Sequence, residues 1–280
     1  MRPVRLGAVG YLNARPLVYG LERSPRFDIR FDVPSRCAAL LHKGTIDVGL
    51  IPSIEYLRVP PDAGHYRIVP GLAIASCGPV ASVALYTTKP ISDVRSIAMD
   101  TGSRTSVALV RVMCARRFKI QPAIESKGPD ITAMLADCDA ALIIGDNALF
   151  LDPARVRLQA NTTLDTNEEM TIEKIDLGEV WTQMTGLPFV WAFWAGRGGA
   201  LSSGDVEALR QARDAGVGRS DEVARDYFHD APARQAIGAR YLRDNIKYDL
   251  GAEERAGLEL FFRYVAEIGI IAHVGDLRFY

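Results

Sequence analysis

An α/β fold of two lobes with a ligand cleft between them is what this 280-residue sequence predicts. Three observations carry the prediction. Short apolar runs alternate with helix-like segments from the first residues, the pattern of βαβ units around a mainly parallel sheet. The alternation begins again near Val94, after an interval of longer strands. A late apolar run then leads into a long helical stretch, as it would where the chain returns to its first lobe. The length suits one large domain or two of ordinary size, and the restarted pattern favours two.

Residues 4–9 read as the first strand. Asn13 followed by Pro16 suits the first turn of a helix running to about Glu22. After a short strand at 28–32, Pro34 and Ser35 open a helix that stops at Gly44, ahead of a buried strand at 46–51. Pro52 and Ser53 start another helix. Beyond a turn-rich stretch at 59–66, apolar runs at 68–74 and 80–86 read as longer strands leading out of the first lobe. The second series comprises a strand at 96–99, a loop at 100–103, a helix at 105–118, a helix near 131–136 and a strand at 140–144. Residues 188–195 read as the return crossing. Residues 196–204, with four Gly and two Ser in nine positions, read as a loop beside the hinge. Helices at 205–215, 220–228, 233–243 and 252–268 are expected to pack on the first lobe. Lobe one is thus expected at residues 1–87 plus 191–280 and lobe two at 88–190, with hinge crossings near 86–90 and 188–195.

Composition narrows the function. With 48% hydrophobic and 24% charged residues and a formal net charge of -1, the chain is that of an ordinary soluble protein. Its basic excess is too small for a nucleic-acid or membrane-surface partner, so a small-molecule ligand is expected. Nothing in the composition specifies an oligomeric state. The N-terminal segment enters a strand pattern without the apolar stretch of a secretory signal, and no window reaches the roughly 18 apolar residues of a membrane helix. A cytoplasmic protein is expected. Cys37, Cys77, Cys114 and Cys138 stand singly and read as buried free thiols, not as a zinc site or a disulfide framework. His42, His65, His229 and His273 are scattered without metal-ligand spacing. There is no GxSxG elbow, Walker loop, GxGxxG or HExxH, so no metal or cofactor is expected.

Four strand-to-helix junctions carry small polar residues: Tyr11-Leu12-Asn13, Pro52-Ser53, the run from Thr101 through Gly102, Ser103, Arg104 and Thr105 to Ser106, and Gly145-Asp146-Asn147. Ligands of open α/β sheets bind outside the carboxyl ends of strands. Helix N-termini there offer free N–H groups and a positive dipole end, which suit a carboxylate or phosphate. Each junction alone is equally compatible with simple capping. The run from Thr101 is the strongest candidate, because five hydrogen-bonding side chains around one Gly exceed what a cap requires. Asp47, Asp100, Asp139 and Asp146 lie beside predicted strands, where caps and surface pairs account for most carboxylates. Trp191 and Trp194 read as core.

Six segments go further: GYLNARPL (10–17), DVGLIPSIEYLR (47–58), GPVASVALYTT (78–88), DTGSRTSVALVRVM (100–113), ALIIGDNAL (141–149) and DLGEVWTQMTGLPFVWAFWA (176–195). In order and spacing they resemble the chorismate dehydratases of the futalosine route to menaquinone, over nearly the whole chain. The resemblance implies a periplasmic-binding-protein-like fold and the conversion of chorismate into 3-[(1-carboxyvinyl)oxy]benzoate and water. It also implies a polar cleft built on Asn13, Ser82 and the loop 103–106. Gly10 stands where many relatives seem to carry Ser, which bears on local hydrogen bonding. Asn13 and Ser82 are expected to hydrogen-bond the substrate from the first lobe. Thr105 and Ser106, with the N–H groups of the helix entered from Ser103 and with help from Arg104, are expected to hold one carboxylate. Ser53, Gly102, Gly145 and Asp146 are expected at the substrate as well. Because these motifs supply amide, hydroxyl and backbone donors and no histidine, the substrate's own enolpyruvyl carboxylate is expected to take the ring proton. Two rivals share the fold. A 1,4-dihydroxy-6-naphthoate synthase would use a histidine that cannot be placed here, and a non-enzymatic anion-binding protein of a transporter would need an export signal.

Overall fold

The computed structural model describes residues 2–60, 64–100, 102–156 and 171–280. These residues build two five-stranded sheets. The first has the order β2 (Phe27–Asp32), β1 (Val4–Val9), β3 (Val48–Pro52), β10 (Phe189–Arg197) and β4 (Tyr66–Ser76). The second has the order β7 (Ala123–Lys127), β6 (Ser96–Asp100), β8 (Ala140–Ile144), β5 (Val83–Thr87) and β9 (Glu173–Asp176). Sequence dictates which strands are central. Runs such as VGLIP in β3 and AALII in β8 are buried along their whole length, as strands covered on both faces must be. Strands β7 and β9, with AIESK and EKID, keep their charged residues at sheet edges.

In each sheet three strands run parallel, β1 with β2 and β3, and β6 with β7 and β8. The fourth neighbour runs against them. β10 is antiparallel to β3 and β4, and β5 is antiparallel to β8 and β9. The sheets are therefore mixed, where the sequence pattern predicts mainly parallel ones. The physical reason is the crossings, since β5 and β10 each enter their sheet from the other one. This also corrects the expected boundary at residue 87. The strand at 83–87 pairs in the second sheet, so the first crossing is residues 77–82 and not 86–90. The second crossing is shorter, at 186–188, between α5 (Leu177–Thr185) and β10.

Helices α1 (Pro34–His42), α2 (Arg104–Met113), α3 (Ile131–Asp137) and α4 (Gly145–Leu149) each follow a strand or its loop. Ser103 caps α2, Asp130 caps α3 and Asp176 caps α5, each through a side-chain oxygen that accepts from free N–H groups of the first turn. The expected helix after β1 is instead a pair of short 3-10 segments at Leu12–Val18 and Leu21–Arg23. Proline at 16 and glycine at 20 break its continuity. Helices α6 (Ser203–Val217), α7 (Ser220–Tyr227), α8 (Pro232–Asp244) and α9 (Ala252–Glu267) complete the chain. Gly216 of α6 comes so near the Pro16 carbonyl that a Cβ there would overlap it. The glycine-rich segment 196–204 lies at the far end of β10 from the second crossing, so it is not beside the hinge. Thr101 and part of the stretch 59–66 lie outside the described residues.

An aromatic cluster fixes the second crossing. Trp181 of α5, Phe189 of β10 and Phe261 of α9 stack edge to face, with ring centroids 5.1 Å apart for Trp181 and Phe189 and 4.9 Å for Phe189 and Phe261. Trp181 Nε1 also donates to the Pro188 carbonyl at 3.2 Å. Cys37, Cys114 and Cys138 are buried free thiols as expected, whereas Cys77 is exposed on the first crossing. Among the described residues no helix is long and apolar enough to cross a membrane. Helix α9 can approach the crossing only because residue 257 is glycine, for a Cβ there would overlap the Pro188 carbonyl oxygen. Gly257→Ala should therefore lower the unfolding free energy by about 1–3 kcal/mol, the usual cost of overpacking. Urea titration of both proteins checks this, and an unchanged midpoint would mean that α9 does not bear on the crossing.

Candidate active site

The carboxyl ends of β1, β3, β6 and β8 converge on one cavity. Tyr11, Asn13 and Pro52 line it from the ends of first-sheet strands, Ser82 from the first crossing, and Ser103, Ser106 and Gly145 from the second sheet's loops. Val9, Ile74, Val80, Val83, Ile144 and Trp191 supply apolar walls. Trp191 is buried in the core as expected and also forms a wall of the cavity, where its Nε1 donates to Ser76 Oγ at 3.1 Å. No lining residue is ionised at neutral pH. The hydroxyl of Tyr11 is pushed up to about 12 by burial and then by the charges of Asp100 and Asp146. The Tyr11 ring lies against Gly145, whose φ is +64 and where an added Cβ would stand 3.0 Å from the ring, so only glycine fits beneath the tyrosine.

Asn13 and Ser82 meet here from different parts of the chain. Asn13 Oδ1 is buried at the cavity and has no partner among the described residues, so it is an acceptor available to a ligand. Ser82 is 1% exposed, and its Oγ is 2.7 Å from the hydroxyl of Tyr241 in α8. The backbone that delivers Ser82 is strained. Ala81 has φ +62 and the Ser82 N–H bonds back to the Val80 carbonyl at 2.7 Å, which is the tight three-residue turn that L-residues seldom adopt. Asp176 accepts from Val80 N at 3.0 Å and Ala81 N at 2.6 Å, and Lys174 Nζ donates to the Ala81 carbonyl at 3.1 Å. Both faces of the strained peptide are thereby held.

A model of the menaquinone biosynthesis family matches residues 4–267 of this sequence. A chorismate dehydratase of Thermus thermophilus is 32% identical over 264 residues, covering 93% of this chain and 94% of that one. The chain belongs to the menaquinone biosynthesis family. Solved structures agree on the fold of this family member. A protein of Archaeoglobus fulgidus superposes with a TM-score of 0.72 at 16% identity, over 96% of this chain and 99% of that one. The periplasmic aliphatic sulphonate binding protein of Escherichia coli does so with a TM-score of 0.61 at 16% identity, over 100% of this chain and 92% of that one. The fold is that of the two-lobed periplasmic binding proteins.

Five of the expected site residues, Asn13, Ser82, Ser103, Ser106 and Gly145, line the cavity of this menaquinone-biosynthesis protein, and five do not. Thr105 is fully buried, and its Oγ1 accepts from Ile54 N at 3.2 Å and lies 3.3 Å from Ser53 Oγ. Ser53 Oγ in turn donates to the Val190 carbonyl at 2.8 Å. The carbonyl of Gly102 accepts from Ser35 N at 3.2 Å. Arg104 points to Glu55 at 2.8 Å. Gly102, Arg104 and Thr105, at and before the start of α2, spend these polar groups on the first sheet's loops and not on the cavity, and Ser53 on the loop after β3 is turned the same way. Asp146 is occupied on the opposite flank, where it accepts from Tyr227 OH at 2.5 Å and Leu12 N at 3.3 Å. Burial raises its pKa despite those bonds. Asp100 is likewise raised by burial and accepts from Gly102 N at 2.8 Å.

Sequence reasoning missed Tyr227, Tyr241 and Glu55, because a tyrosine or glutamate inside an amphipathic segment carries no signal of what lies opposite it. Glu55 is wholly buried beside Arg104, Arg58 at 3.0 Å and His42 Nε2 at 3.2 Å. Burial acts to raise its pKa, but the His42 hydrogen bond and the charges of Arg104 and Arg58 outweigh it and bring the pKa below 4.5. A carboxylate lowered in the folded state stabilises it above the unfolded pKa and loses that effect as the pH falls through the folded value. The difference in unfolding free energy between wild type and Glu55→Gln should therefore be greatest at neutral pH and shrink below about pH 4.5. Urea titrations at both pH values check the sign, and a pH-independent difference would mean that the ionised group contributes nothing. For the strained turn, Ala81→Gly relieves positive φ at some cost in unfolded-state entropy. The variant should be about 0.5–1 kcal/mol more stable than wild type by the same titration, and a loss of stability would contradict the strain.

Proposed function

We propose that this protein is a chorismate dehydratase, removing water from chorismate to give 3-[(1-carboxyvinyl)oxy]benzoate. The observation that carries the reading is the meeting of Asn13 and Ser82 in one cavity of neutral donors, in a chain 32% identical to a protein of that name. The reaction breaks the ring C–H bond beside the enolpyruvyl ether and the neighbouring C–O bond of the hydroxyl. The C–H electron pair completes the aromatic ring, and the proton and hydroxide leave as water. Aromatisation makes the step downhill, so the protein's task is to orient the substrate, exclude bulk water and block chorismate's other fates.

Asn13 and Ser82 would hydrogen-bond the bound substrate, with Ser103 and Ser106 at its other end and Tyr11 and Trp191 against its ring. The base would be the enolpyruvyl carboxylate of chorismate itself. Asp100 and Asp146 are poorly placed for that role, since neither lines the cavity, both oxygens of Asp146 accept from Leu12 N and Tyr227 OH, and Asp100 Oδ1 accepts from Gly102 N. We read the first sheet with the C-terminal helices as one lobe and the second sheet as the other, closing over the substrate about residues 77–82 and 186–188. A biosynthetic enzyme of this kind would work in the cytoplasm on a soluble substrate, without a nucleic-acid partner.

The test is to follow the loss of chorismate absorbance on adding purified protein, and to weigh the product. A product one water lighter than chorismate is expected; unchanged chorismate would reject the reading. Asn13→Ala and Ser82→Ala should each lower turnover about ten- to a hundredfold, the worth of a hydrogen bond to a charged group felt in the transition state. Asp100→Asn and Asp146→Asn should lower it only modestly. A chorismate analogue without the enolpyruvyl carboxylate should bind and not dehydrate. Its rapid dehydration, or a loss of about four orders of magnitude in either aspartate variant with binding retained, would point to an enzyme base instead.

A further inference from the structure

Tyr241 stands outside the cavity lining and outside every motif the sequence offered, yet its hydroxyl touches a lining residue. It is 2% exposed, and its oxygen lies 2.7 Å from Ser82 Oγ across 159 residues of sequence. Asn13 Oδ1, which has no partner among the described residues, faces the same cavity from the first sheet's side. Buried tyrosines need some acceptor, but a backbone carbonyl would serve, and the partner here is a hydroxyl facing a cavity.

Proton counting gives the arrangement a direction. A serine hydroxyl has one proton and two lone pairs, as does a tyrosine hydroxyl in its bonding capacity, while an amide N–H can only donate. When the Tyr241 hydroxyl donates its proton to Ser82 Oγ across the 2.7 Å contact, Ser82 cannot give its own proton back along the same bond. The Ser82 proton is then left for the cavity. Each bond polarises the next. Burial holds the Tyr241 hydroxyl protonated far above neutral pH, so the direction does not reverse in the working range.

We propose that Tyr241 is a positioning residue for the dehydration, holding Ser82 Oγ and turning the Ser82 proton toward the substrate. The inference rests on the reading that chorismate is dehydrated in this cavity. Its test is a double-mutant cycle of Tyr241→Phe and Ser82→Ala, with kcat, KM and melting temperature measured for all four proteins. Tyr241→Phe should lower kcat about ten- to a hundredfold with KM little changed, and the double variant should be no slower than Ser82→Ala alone. A kcat for Tyr241→Phe within twofold of wild type, or single losses that multiply in the double variant, would overturn the inference. Wild type inert toward chorismate would instead overturn the dehydratase reading. A ring-fluorinated tyrosine at 241 keeps the shape and the hydroxyl, and it carries the test if the phenylalanine variant fails to fold. A severalfold change in kcat at constant melting temperature is then expected, and an unchanged kcat would again overturn the inference.

Discussion

One carboxylate ties the two halves of the molecule together. Asp176 accepts from Val80 and Ala81 on the first crossing and from Gly178 at 2.9 Å and Glu179 at 3.1 Å at the start of α5. It therefore caps the helix that leads into the second crossing while bracing the backbone of the first. Thr182, one turn further along α5, adds a bond from Gly78 N at 2.8 Å. Ionised acceptors make the stronger hydrogen bonds, and here they offset the cost of a left-handed alanine. Such strain persists only where the surroundings over-determine it, and it tends to mark functional sites. What it positions in this chain is Ser82.

The contacts across the cleft divide the polar groups into two populations. Charged and paired groups lie on the flanks, with Glu55 among Arg104, Arg58 and His42 on one side and Asp146 with Tyr227 and Leu12 N on the other. Neutral groups line the cavity. A buried charge is tolerable only when it is well partnered, and each flank provides that locally. The cavity keeps hydroxyls and an amide, which can receive an anion without a competing carboxylate. At the start of α2, expected to hold a ligand carboxylate, Thr105 and Arg104 bond to the facing loop, since the same groups that suit an anion also suit that loop.

The fold was readable because its signals are local. The buried runs of β1, β3, β8 and β10, the proline that opens α1 and the serine cap before α6 mark themselves by apolarity, proline and serine. β7, β9 and α5 escaped notice. The first two are edge strands with few apolar residues, and α5 lies within a segment recognised only by its likeness to a family. At the site, Asn13 and Ser82 were legible through that likeness and not through pattern. The partners that orient them were not legible at all, since α7 and α8 reach the cleft only through tertiary packing and a single sequence does not disclose which face of a helix meets which loop.

The antiparallel placement of β10 has a consequence for the order in which the protein is made. Phe189, its first residue, pairs with Ser76, the last residue of β4, so the whole second sheet lies between two hydrogen-bonded neighbours. All strands of that sheet, from Val83 to Asp176, leave the ribosome before any of β10 does. In the first sheet, by contrast, β3 and β4 are joined only through β10, which lies between them and pairs with both. Its N-terminal strands must wait, incomplete, while the inserted lobe is synthesised and can already fold as a contiguous unit. In this chain the lobe that begins first is the one that finishes last.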